Sequence, residues 1–440
     1  MTENTPFQAL IKRIILDFQE LEIKSTLTRR LTVTPIPGKA TVCIGVRRAG
    51  KSTFMFQIMQ HLLTQGIEAQ NILHLNFFDD RLHDLKHDGL NVILEAYFSL
   101  YPEKKNKEKI YCFFDEIQMI PEWEPFIDRL LRTESCEVYI TGSSAKMLSK
   151  EIATQMRGRA LSWEIFPFSF QEFLDFKQIE SASPWSTKKR LLIGKAFETY
   201  WEEGAFPEVI NLPSPLRIKI HQEYFTTILF RDLIERHDVA HPKALTDLAY
   251  YLMDNVAALY SINGLVGYLK SLGHKISKVV VSHYLGWFED AYMFFTVRIF
   301  DPNLARAHAN PKKIYCIDHA FVKSISSEIL VNSGHYLENL VFITLRRISD
   351  KIYYFKTHNG KEVDFIIQHK NRSKNLIQVC ETLRELKTQK RETTALNEAM
   401  KELNLTSSII VTRNESAQIK VENGIIEVMP IWQFMLTWEA

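Results

Sequence analysis

Eight consecutive residues have the types and spacing of a phosphate-binding loop. They fit the pattern GxxxxGK[ST] and read Gly45-Val46-Arg47-Arg48-Ala49-Gly50-Lys51-Ser52, followed by Thr53. Glycines allow a backbone to fold around a phosphate, so that successive N–H groups and a helix N-terminus face the anion. In such a loop Lys51 would reach the β- and γ-phosphates, and the Ser52 hydroxyl would bind Mg²⁺. Residues 45–53 are therefore the predicted binding site for ATP and Mg²⁺; the alternative is a fortuitous glycine turn, in a chain with only 16 glycines.

Two carboxylates follow a strand-like apolar run farther along the chain. Asp115 and Glu116 come directly after Tyr111-Cys112-Phe113-Phe114. We expect Asp115 to hold Mg²⁺, directly or through water, and Glu116 to orient and deprotonate the attacking water. Taken alone, an apolar run that ends in two carboxylates is as typical of a solvated strand end as of a catalytic site. Its position one βα unit after the phosphate loop favours the catalytic interpretation.

A third strand-like run ends in hydroxyl residues, and two arginines follow it. A hydroxyl there, with Ser143 as the main candidate beside Ser144, could contact the γ-phosphate or the water. Capping of the next helix is the alternative role. Arg159, with Arg157 in reserve, is the candidate arginine finger that crosses a subunit boundary to stabilise charge on the transferred phosphoryl group. A surface salt bridge is the alternative for that arginine.

Composition describes an ordinary globular chain with several domains. Its 440 residues, of which 46% are hydrophobic and 24% charged, predict about three domains and exclude wholesale disorder. The formal net charge of +2 excludes a histone-like polycation. We find no apolar run near the ~18 residues of a membrane span and no secretory signal, so we expect a cytoplasmic protein without a membrane partner. The five cysteines have no CxxC spacing and are expected to be buried, reduced thiols.

The elements that must position these residues alternate between strands and helices from Ala40 onward. This alternation predicts an α/β fold with a mostly parallel sheet. The whole chain is divided, by changes of pattern, into the following predicted parts: an N-terminal helical segment (1–35), a P-loop ATPase core (36–178), a helical lid (179–240), a winged-helix domain (241–311) and a second α/β domain (312–440).

Residues 241–311 follow the element order of a winged helix-turn-helix. Ser261 and Ser277 are predicted to cap two of its helices, and the second of these helices would be the recognition helix. Phosphate-contacting residue types lie at its start, and the candidate DNA contacts are Lys275, Lys278, Ser282 and His283. A protein-contact module is the alternative interpretation of this region.

These segments together resemble the prokaryotic AAA+-type ATPases that carry a C-terminal domain of unknown function. The resemblance runs through nearly the whole chain, on the segments Gly45–Ser52, Asn76–Leu82, Phe114–Gln118, Thr141–Ser144, Arg157–Arg159, Phe166–Phe173, Gly204–Glu208, Lys313–Asp318 and Glu338-Asn339. It implies a P-loop AAA+ module with a helical lid, a winged helix and a restriction-endonuclease-like C-terminal fold. It also implies ATP binding and hydrolysis with Asp115, Glu116 and a Ser143 or Ser144 sensor.

The nuclease-like unit implied by this resemblance has a degenerate site. Such nucleases use a helical Glu, a strand Asp and an E-x-K on the next strand to hold Mg²⁺ and activate water. Glu338 and Asp364 fit the first two positions, but Gln378 and Cys380 stand where the E-x-K would be. We therefore expect no nuclease activity. The 12 Lys/Arg against 6 Asp/Glu in residues 343–395 fit either nucleic-acid binding or a solvated basic face.

The favoured hypothesis is an ATPase that uses Mg-ATP to remodel or move on DNA. Its subunits would share ATP sites in a homo-oligomer, with a hexameric ring as one arrangement. The second hypothesis is a nucleotide-gated signalling or scaffold ATPase that acts on a protein partner. A metal-dependent nuclease is the third and weakest.

Overall fold

The computed structural model describes residues 6–24, 26–85, 89–142, 156, 158–327, 333–369 and 371–438. The chain divides into two compact units, Met1–Ile165 and Phe166–Ala440. The boundaries between the five predicted parts differ from this division and stay predictions.

Five strands of the first unit form one sheet in which all neighbours run parallel. The strands are β1 (Ala40–Ile44), β2 (Ile72–Asn76), β3 (Ile110–Asp115), β4 (Cys136–Thr141) and β5 (Ala160–Glu164). Their order across the sheet is β2-β3-β4-β1-β5. Strands β1 and β3 are buried along their whole length, as expected for parallel strands that are covered on both faces.

Helices connect these strands. They are α1 (Pro6–Gln19), α2 (Lys51–Thr64), α3 (Asn91–Leu100) and α4 (Trp123–Thr133), with short 3-10 turns at Ala69–Asn71, Asp80–Leu82, Pro102–Lys104 and Ile117–Met119. Met55 and Met59 of α2 pack on Phe113 and Tyr139, whose rings stack with centroids 4.6 Å apart. This contact fixes α2 on the sheet and so fixes the loop that precedes it.

The second unit begins with helices. These are α5 (Phe170–Phe176), α6 (Thr187–Glu203), α7 (Ser214–Thr227), a π-helical turn (Ile228–Glu235), α8 (Pro242–Asp254), α9 (Ile262–Ser271) and α10 (Lys278–Asp290), with a 3-10 turn at Pro207–Val209. The predicted caps are confirmed: Ser261 accepts a hydrogen bond from the N–H of Gly264 at 3.1 Å, and Ser277 from that of Val280 at 3.3 Å.

The remaining helices of the second unit are interleaved with strands. They are α11 (Leu304–Ala309), α12 (His319–Ile325), α13 (Ser333–Ile348), α14 (Leu386–Leu403) and α15 (Ile431–Trp438). The strands are β6 (Leu259–Tyr260), β7 (Phe294–Ile299), β8 (Lys312–Cys316), β9 (Ile352–Lys356), β10 (Glu362–Gln368), β11 (Lys374–Val379), β12 (Ser407–Thr412), β13 (Ala417–Val421) and β14 (Gly424–Pro430).

These strands form one mixed sheet in the order β13-β14-β12-β11-β10-β9-β7-β8-β6. Strand β7 pairs with β9 in parallel, through Arg298 with Tyr353 and Ile299 with Tyr354. The strands expected in the winged-helix region and those expected in the C-terminal domain therefore hydrogen-bond to each other. The α/β fold class is as the sequence predicts.

Two sequence motifs that lie more than 100 residues apart meet in the second unit. The carboxylate of Asp318 accepts a hydrogen bond from the N–H of Ala205 at 2.7 Å and caps α12 through the N–H of Phe321 at 2.7 Å. Gly204 beside it has φ +82°, and a Cβ there would lie 2.7 Å from the Cβ of Ala320. Close packing around a buried carboxylate thus accounts for this glycine.

Candidate active site

The phosphate loop joins β1 to α2 and depends on two glycines. Gly45 has φ +147°, and a Cβ there would lie 2.2 Å from the carbonyl oxygen of Ile165. Gly50, with φ 94° and ψ 27°, is the left-handed residue at which α2 begins. Only glycine adopts these conformations without steric cost. The predicted strand–loop–helix context of this motif is confirmed.

The lysine of the loop is directed into the loop itself. Lys51 is 6% exposed, and its Nζ donates hydrogen bonds to the carbonyl oxygens of Gly45 at 3.1 Å and Val46 at 3.0 Å. The neighbouring Cys43 is buried, and burial raises the pKa of its thiol to about 12. The thiol therefore stays neutral and leaves the ammonium as a positive charge beside the anion-binding backbone.

The end of β3 meets the end of β4 at the same edge of the sheet. Asp115 is 4% exposed, and the hydroxyl of Thr141 donates a hydrogen bond to its Oδ1. The same hydroxyl accepts a hydrogen bond from the backbone N–H of Glu116 at 3.2 Å. Thr141 thus fixes both predicted acidic residues. Thr141 ends the same strand from which the sequence predicts a role for Ser143, and its own role is not predicted.

Glu116 is held in an unusual backbone conformation. Its φ is 56° and its ψ 39°, a left-handed geometry that costs a non-glycine residue about 1 kcal/mol. The amide Nε2 of Gln118 donates a hydrogen bond to Oε2 of Glu116. Thr141 thus holds the backbone of the candidate base, and Gln118 contacts its carboxylate.

Residues of the N-terminal segment also reach the phosphate loop, which the sequence did not signal. The guanidinium of Arg29 donates a hydrogen bond to the carbonyl oxygen of Ala49 at 2.9 Å. The amide of Gln57 on α2 holds the backbone of this segment by accepting from the N–H of Arg29 at 3.1 Å and donating to the carbonyl oxygen of Leu27. The segment and α2 border a cavity of about 510 Å³.

The candidate arginine finger lies away from the phosphate loop of its own chain. Arg159 directly precedes β5, and Ala160 pairs in register with Ala40, where β1 begins. Its guanidinium lies 3.3 Å from Asp128 and is 39% exposed, the surface ion pair that was the alternative. The other predicted residues of this region, Ser143 and Arg157, lie outside the described residues, as does Ser144.

The donors at this edge fit a magnesium ion bound together with a nucleotide. Asp115 supplies a buried carboxylate, and Ser52 a hydroxyl in the first turn of α2. These hard oxygen ligands suit Mg²⁺, which in such sites is held by few protein groups together with the phosphates. Among the described residues, no group of three or more His, Cys, Asp or Glu side chains could hold a metal ion.

The four predicted DNA contacts lie together on the surface of the second unit. Lys275 precedes α10, and Lys278, Ser282 and His283 lie in its first half; all four are exposed. His274 lies just before these residues but contacts Asp247, whose carboxylate is 2.6 Å from its Nε2. The start of α10 and the residues before it therefore expose two lysines, a serine and a histidine, with the exposed Val279 among them.

The four residues that the sequence predicts as a degenerate nuclease site also lie together. Asp364 accepts a hydrogen bond from the N–H of Val379 at 3.0 Å, and its own N–H donates to the side-chain oxygen of Gln378 at 3.2 Å. Cys380 is buried, and burial raises the pKa of its thiol to about 12. Glu338 points to the same place and contacts Lys313, a residue that sequence reasoning did not assign to this site.

Three regions of the chain match known protein families. Residues 37–174 match an AAA domain, residues 194–328 match a domain of unknown function (DUF8612), and residues 333–434 match another (DUF4143). An uncharacterized protein of Methanocaldococcus jannaschii, MJ1544, is 35% identical over 98% of this chain and 96% of its own length. An uncharacterized protein of Haemophilus influenzae is 32% identical over 74% of this chain and 78% of its own.

Solved structures with a similar arrangement are distant in sequence. The Walker-type ATPase paby2304 of Pyrococcus abyssi has 13% identity and a TM-score of 0.42, over 74% of this chain and 97% of its own. The Orc1 protein of Aeropyrum pernix in complex with DNA has 12% identity and a TM-score of 0.30, over 75% and 93%. In the described part of our chain, no helix has the length and apolar character needed to cross a membrane.

Proposed function

Because the chain belongs to a family of P-loop ATPases of the AAA class that carry C-terminal domains of unknown function, we propose that it hydrolyses ATP. We further propose that ATP hydrolysis is coupled to the binding and remodelling of DNA, or to movement along DNA. The proposal of ATP hydrolysis is supported by one observation above all: Lys51, Asp115 and Glu116 lie at the carboxyl edge of one parallel sheet. Ligands of open α/β sheets bind at this edge.

Each of these residues has a role that its position supports. The backbone N–H groups of the loop and the start of α2 bind the phosphates, and the ammonium of Lys51 moves from the loop carbonyls to the phosphate oxygens. Bound Mg²⁺, held by Ser52 and Asp115, would neutralise phosphate charge. Glu116 accepts the proton of the attacking water, and Gln118 keeps its carboxylate in place.

We propose that the nucleotide site is completed by a second copy of the chain. In its own unit Arg159 lies at the edge where β1 and β5 begin, whereas the phosphate loop follows the end of β1. Five residues of strand span about 16 Å, too far for the guanidinium to reach the phosphates within one subunit. The guanidinium of Arg159 is 39% exposed in its ion pair with Asp128, and a surface pair of this kind contributes little stability.

The DNA half of the proposal rests on α10. This helix exposes Lys278, Ser282 and His283 on one face, with Lys275 directly before it, and its opposite face is buried through Val281, Tyr284 and Leu285. A helix anchored in this way can enter a groove and contact phosphates with its N-terminal residues. The proposal assigns phosphate contact, and no base sequence, to these side chains.

The basic excess of residues 343–395 gives this proposal little support. Several of its cations are paired within the unit: Lys356 with Glu362, Lys361 with Glu398, Arg384 with Glu415, and Arg391 with Glu392. Two of these partner carboxylates, Glu398 and Glu415, lie outside the segment. We therefore assign DNA contact to α10 and not to this segment.

The experiment is steady-state ATP hydrolysis at low salt, with no DNA and with single-stranded, duplex and branched DNA. Lys51→Ala is expected to abolish turnover in every condition, because it removes the phosphate contact. Stimulation by one form of DNA would support a DNA-dependent motor. Turnover that is slow and the same with every DNA would contradict the DNA half and favour the second hypothesis, a nucleotide-gated switch acting on a protein.

A further inference from the structure

A lysine ammonium lies at the centre of three carboxylates in the second unit. The Nζ of Lys313, on β8, lies 2.9 Å from Glu338 on α13, 2.9 Å from Glu362 on β10 and 2.8 Å from Asp364 on β10. The lysine side chain is only 3% exposed. An ammonium has three N–H donors, and here three carboxylate oxygens surround it.

The other polar groups of this cluster are satisfied as well. Tyr315 donates a hydrogen bond to Glu338 at 2.7 Å, so the same glutamate oxygen is bound from β8 twice. Asp364 uses its second oxygen to accept from the N–H of Val379. Glu362, the most exposed of the three carboxylates, also lies 3.7 Å from Lys356. The ammonium of Lys313 therefore already occupies the position between the three carboxylates at which a cation would bind.

The charges of the cluster depend on each other. Although burial opposes its charge, Asp364 and Glu338 hold the pKa of Lys313 well above its ordinary value. Burial, with repulsion from Asp364, raises the pKa of Glu338 to about 7. Lys313 is thus charged at every physiological pH, and it supplies the positive charge that the buried carboxylates require.

A divalent metal, which a nuclease-like core implies, does not fit these residues. A metal bound to the same oxygens at ~2.1 Å would lie within a few ångströms of the ammonium and would be strongly repelled in a buried site. The E-x-K position offers no replacement ligands, because Gln378 binds the backbone of residue 364 and the thiol of Cys380 is neutral. No catalytic step through a metal follows from this arrangement.

We propose that Lys313 is a permanent internal cation that replaces the divalent metal of this core. The wild-type cluster is stable without metal and rejects it. Removing the ammonium while leaving a space, as in Lys313→Ala, should convert Glu338, Glu362 and Asp364 into a divalent-cation site. The lysine comes from a strand on which no nuclease motif is expected, so the sequence pattern of the site conceals this replacement.

The test measures the unfolding midpoint of the full-length, nucleotide-free protein in EDTA and in Mn²⁺. The wild-type midpoint should not change. Lys313→Ala should unfold at lower temperature in EDTA and gain about 5 °C in saturating Mn²⁺, and Lys313→Ala with Asp364→Asn should lose that gain. Lys313→Met is the matched control: it is uncharged but fills the space, so it should not respond to Mn²⁺.

Two results would overturn the proposal: no Mn²⁺ response in Lys313→Ala, or a wild-type response that Asp364→Asn removes. If Lys313→Ala does not fold, Mn²⁺ bound to the wild type and to Glu362→Gln is counted by electron paramagnetic resonance. Equal counts support the proposal, because the cluster then binds no metal. A count that falls in Glu362→Gln contradicts it.

Discussion

The hydroxyl of Thr141 donates a hydrogen bond to the carboxylate of Asp115 and accepts one from the N–H of Glu116. It joins the ends of two neighbouring parallel strands, β3 and β4. The candidate magnesium ligand and the candidate base are therefore positioned by one side chain that itself needs no contact with the nucleotide. The geometry proposed for catalysis therefore includes this link as well as the acidic residues.

Thr141→Val should lower the turnover number by a factor of about 10 to 100, since one hydrogen bond to a charged group is worth about 1.5–3 kcal/mol. Nucleotide affinity should change little because the phosphate loop is untouched. Steady-state kinetics and binding of a fluorescent ATP analogue measure the two quantities. Thr141→Ser keeps the hydroxyl and is the control; equal loss in both variants would show that packing, and not the hydrogen bond, matters.

Glu116→Gln should keep ATP binding and lose turnover by a factor on the order of 10² or more, because the base is removed. Gln118→Ala should lose less, since it only frees the carboxylate that Gln118 holds. The measurement is single-turnover hydrolysis at saturating ATP. Retained turnover in Glu116→Gln would remove its assignment as the base, and wild-type turnover in Gln118→Ala would remove the positioning role.

Arg159→Ala should be inactive alone and regain activity when mixed with Lys51→Ala. In the mixture, a subunit with an intact phosphate loop can receive the arginine of a neighbour whose own loop is dead. Turnover of the mixture across mixing ratios measures this. Activity of Arg159→Ala alone at the wild-type level would exclude the finger role, and inactive mixtures would exclude its action between subunits. Asp128→Ala is the control for loss of the surface ion pair.

Lys278→Glu should weaken DNA binding and lower the dependence of the affinity on salt, because one phosphate contact is lost. Lys219→Glu makes the same change of charge at an exposed position on α7 and is the control. Fluorescence anisotropy with labelled DNA at several salt concentrations compares the two. Equal weakening in both variants would indicate a general charge effect and contradict the assignment to α10.

His319 should make the second unit less stable in acid. It is buried against Trp201, with ring centroids 5.2 Å apart, and burial lowers its pKa to about 4. The unfolded chain binds the proton at about pH 6.5, so its stabilising effect is complete above pH 6.5 and is lost as the pH falls through 4.

The free energy of unfolding of His319→Gln should therefore be lower than that of the wild type at pH 7. At pH 4.5 this difference between the two proteins should be smaller. Urea unfolding at a series of pH values measures the difference. His83→Gln, at an exposed position, is the control and should leave the pH dependence unchanged. The prediction would be contradicted if the difference in stability between the wild type and His319→Gln stayed constant from pH 7 to pH 4.5.

Several elements of the second unit were not predicted, for two different reasons. Strands β13 and β14 and helix α15 were missed, although the alternation from Ala417 to Val421 and the turn before Gly424 were signals for the hairpin. Helix α8 ends at Asp254, and the chain then enters β6, which exists only through its pairing with Lys312 and Lys313 of β8. Such pairing is a tertiary property.

The sequence by itself determined the phosphate loop and the acidic strand end. The loop is a local structure: its glycines, its lysine and the helix that follows are adjacent in the chain, so their spacing specifies the backbone. The same holds for the serine caps of α9 and α10, which act over three residues.

Only the tertiary structure decided which side chains complete the sites. Thr141 meets Asp115 because two strands are neighbours in the sheet, and Lys313 meets Glu338 and Asp364 because β8, α13 and β10 converge. These contacts join residues 26, 25 and 51 positions apart. Buried charges must find partners wherever the fold brings them, and no local pattern records that requirement.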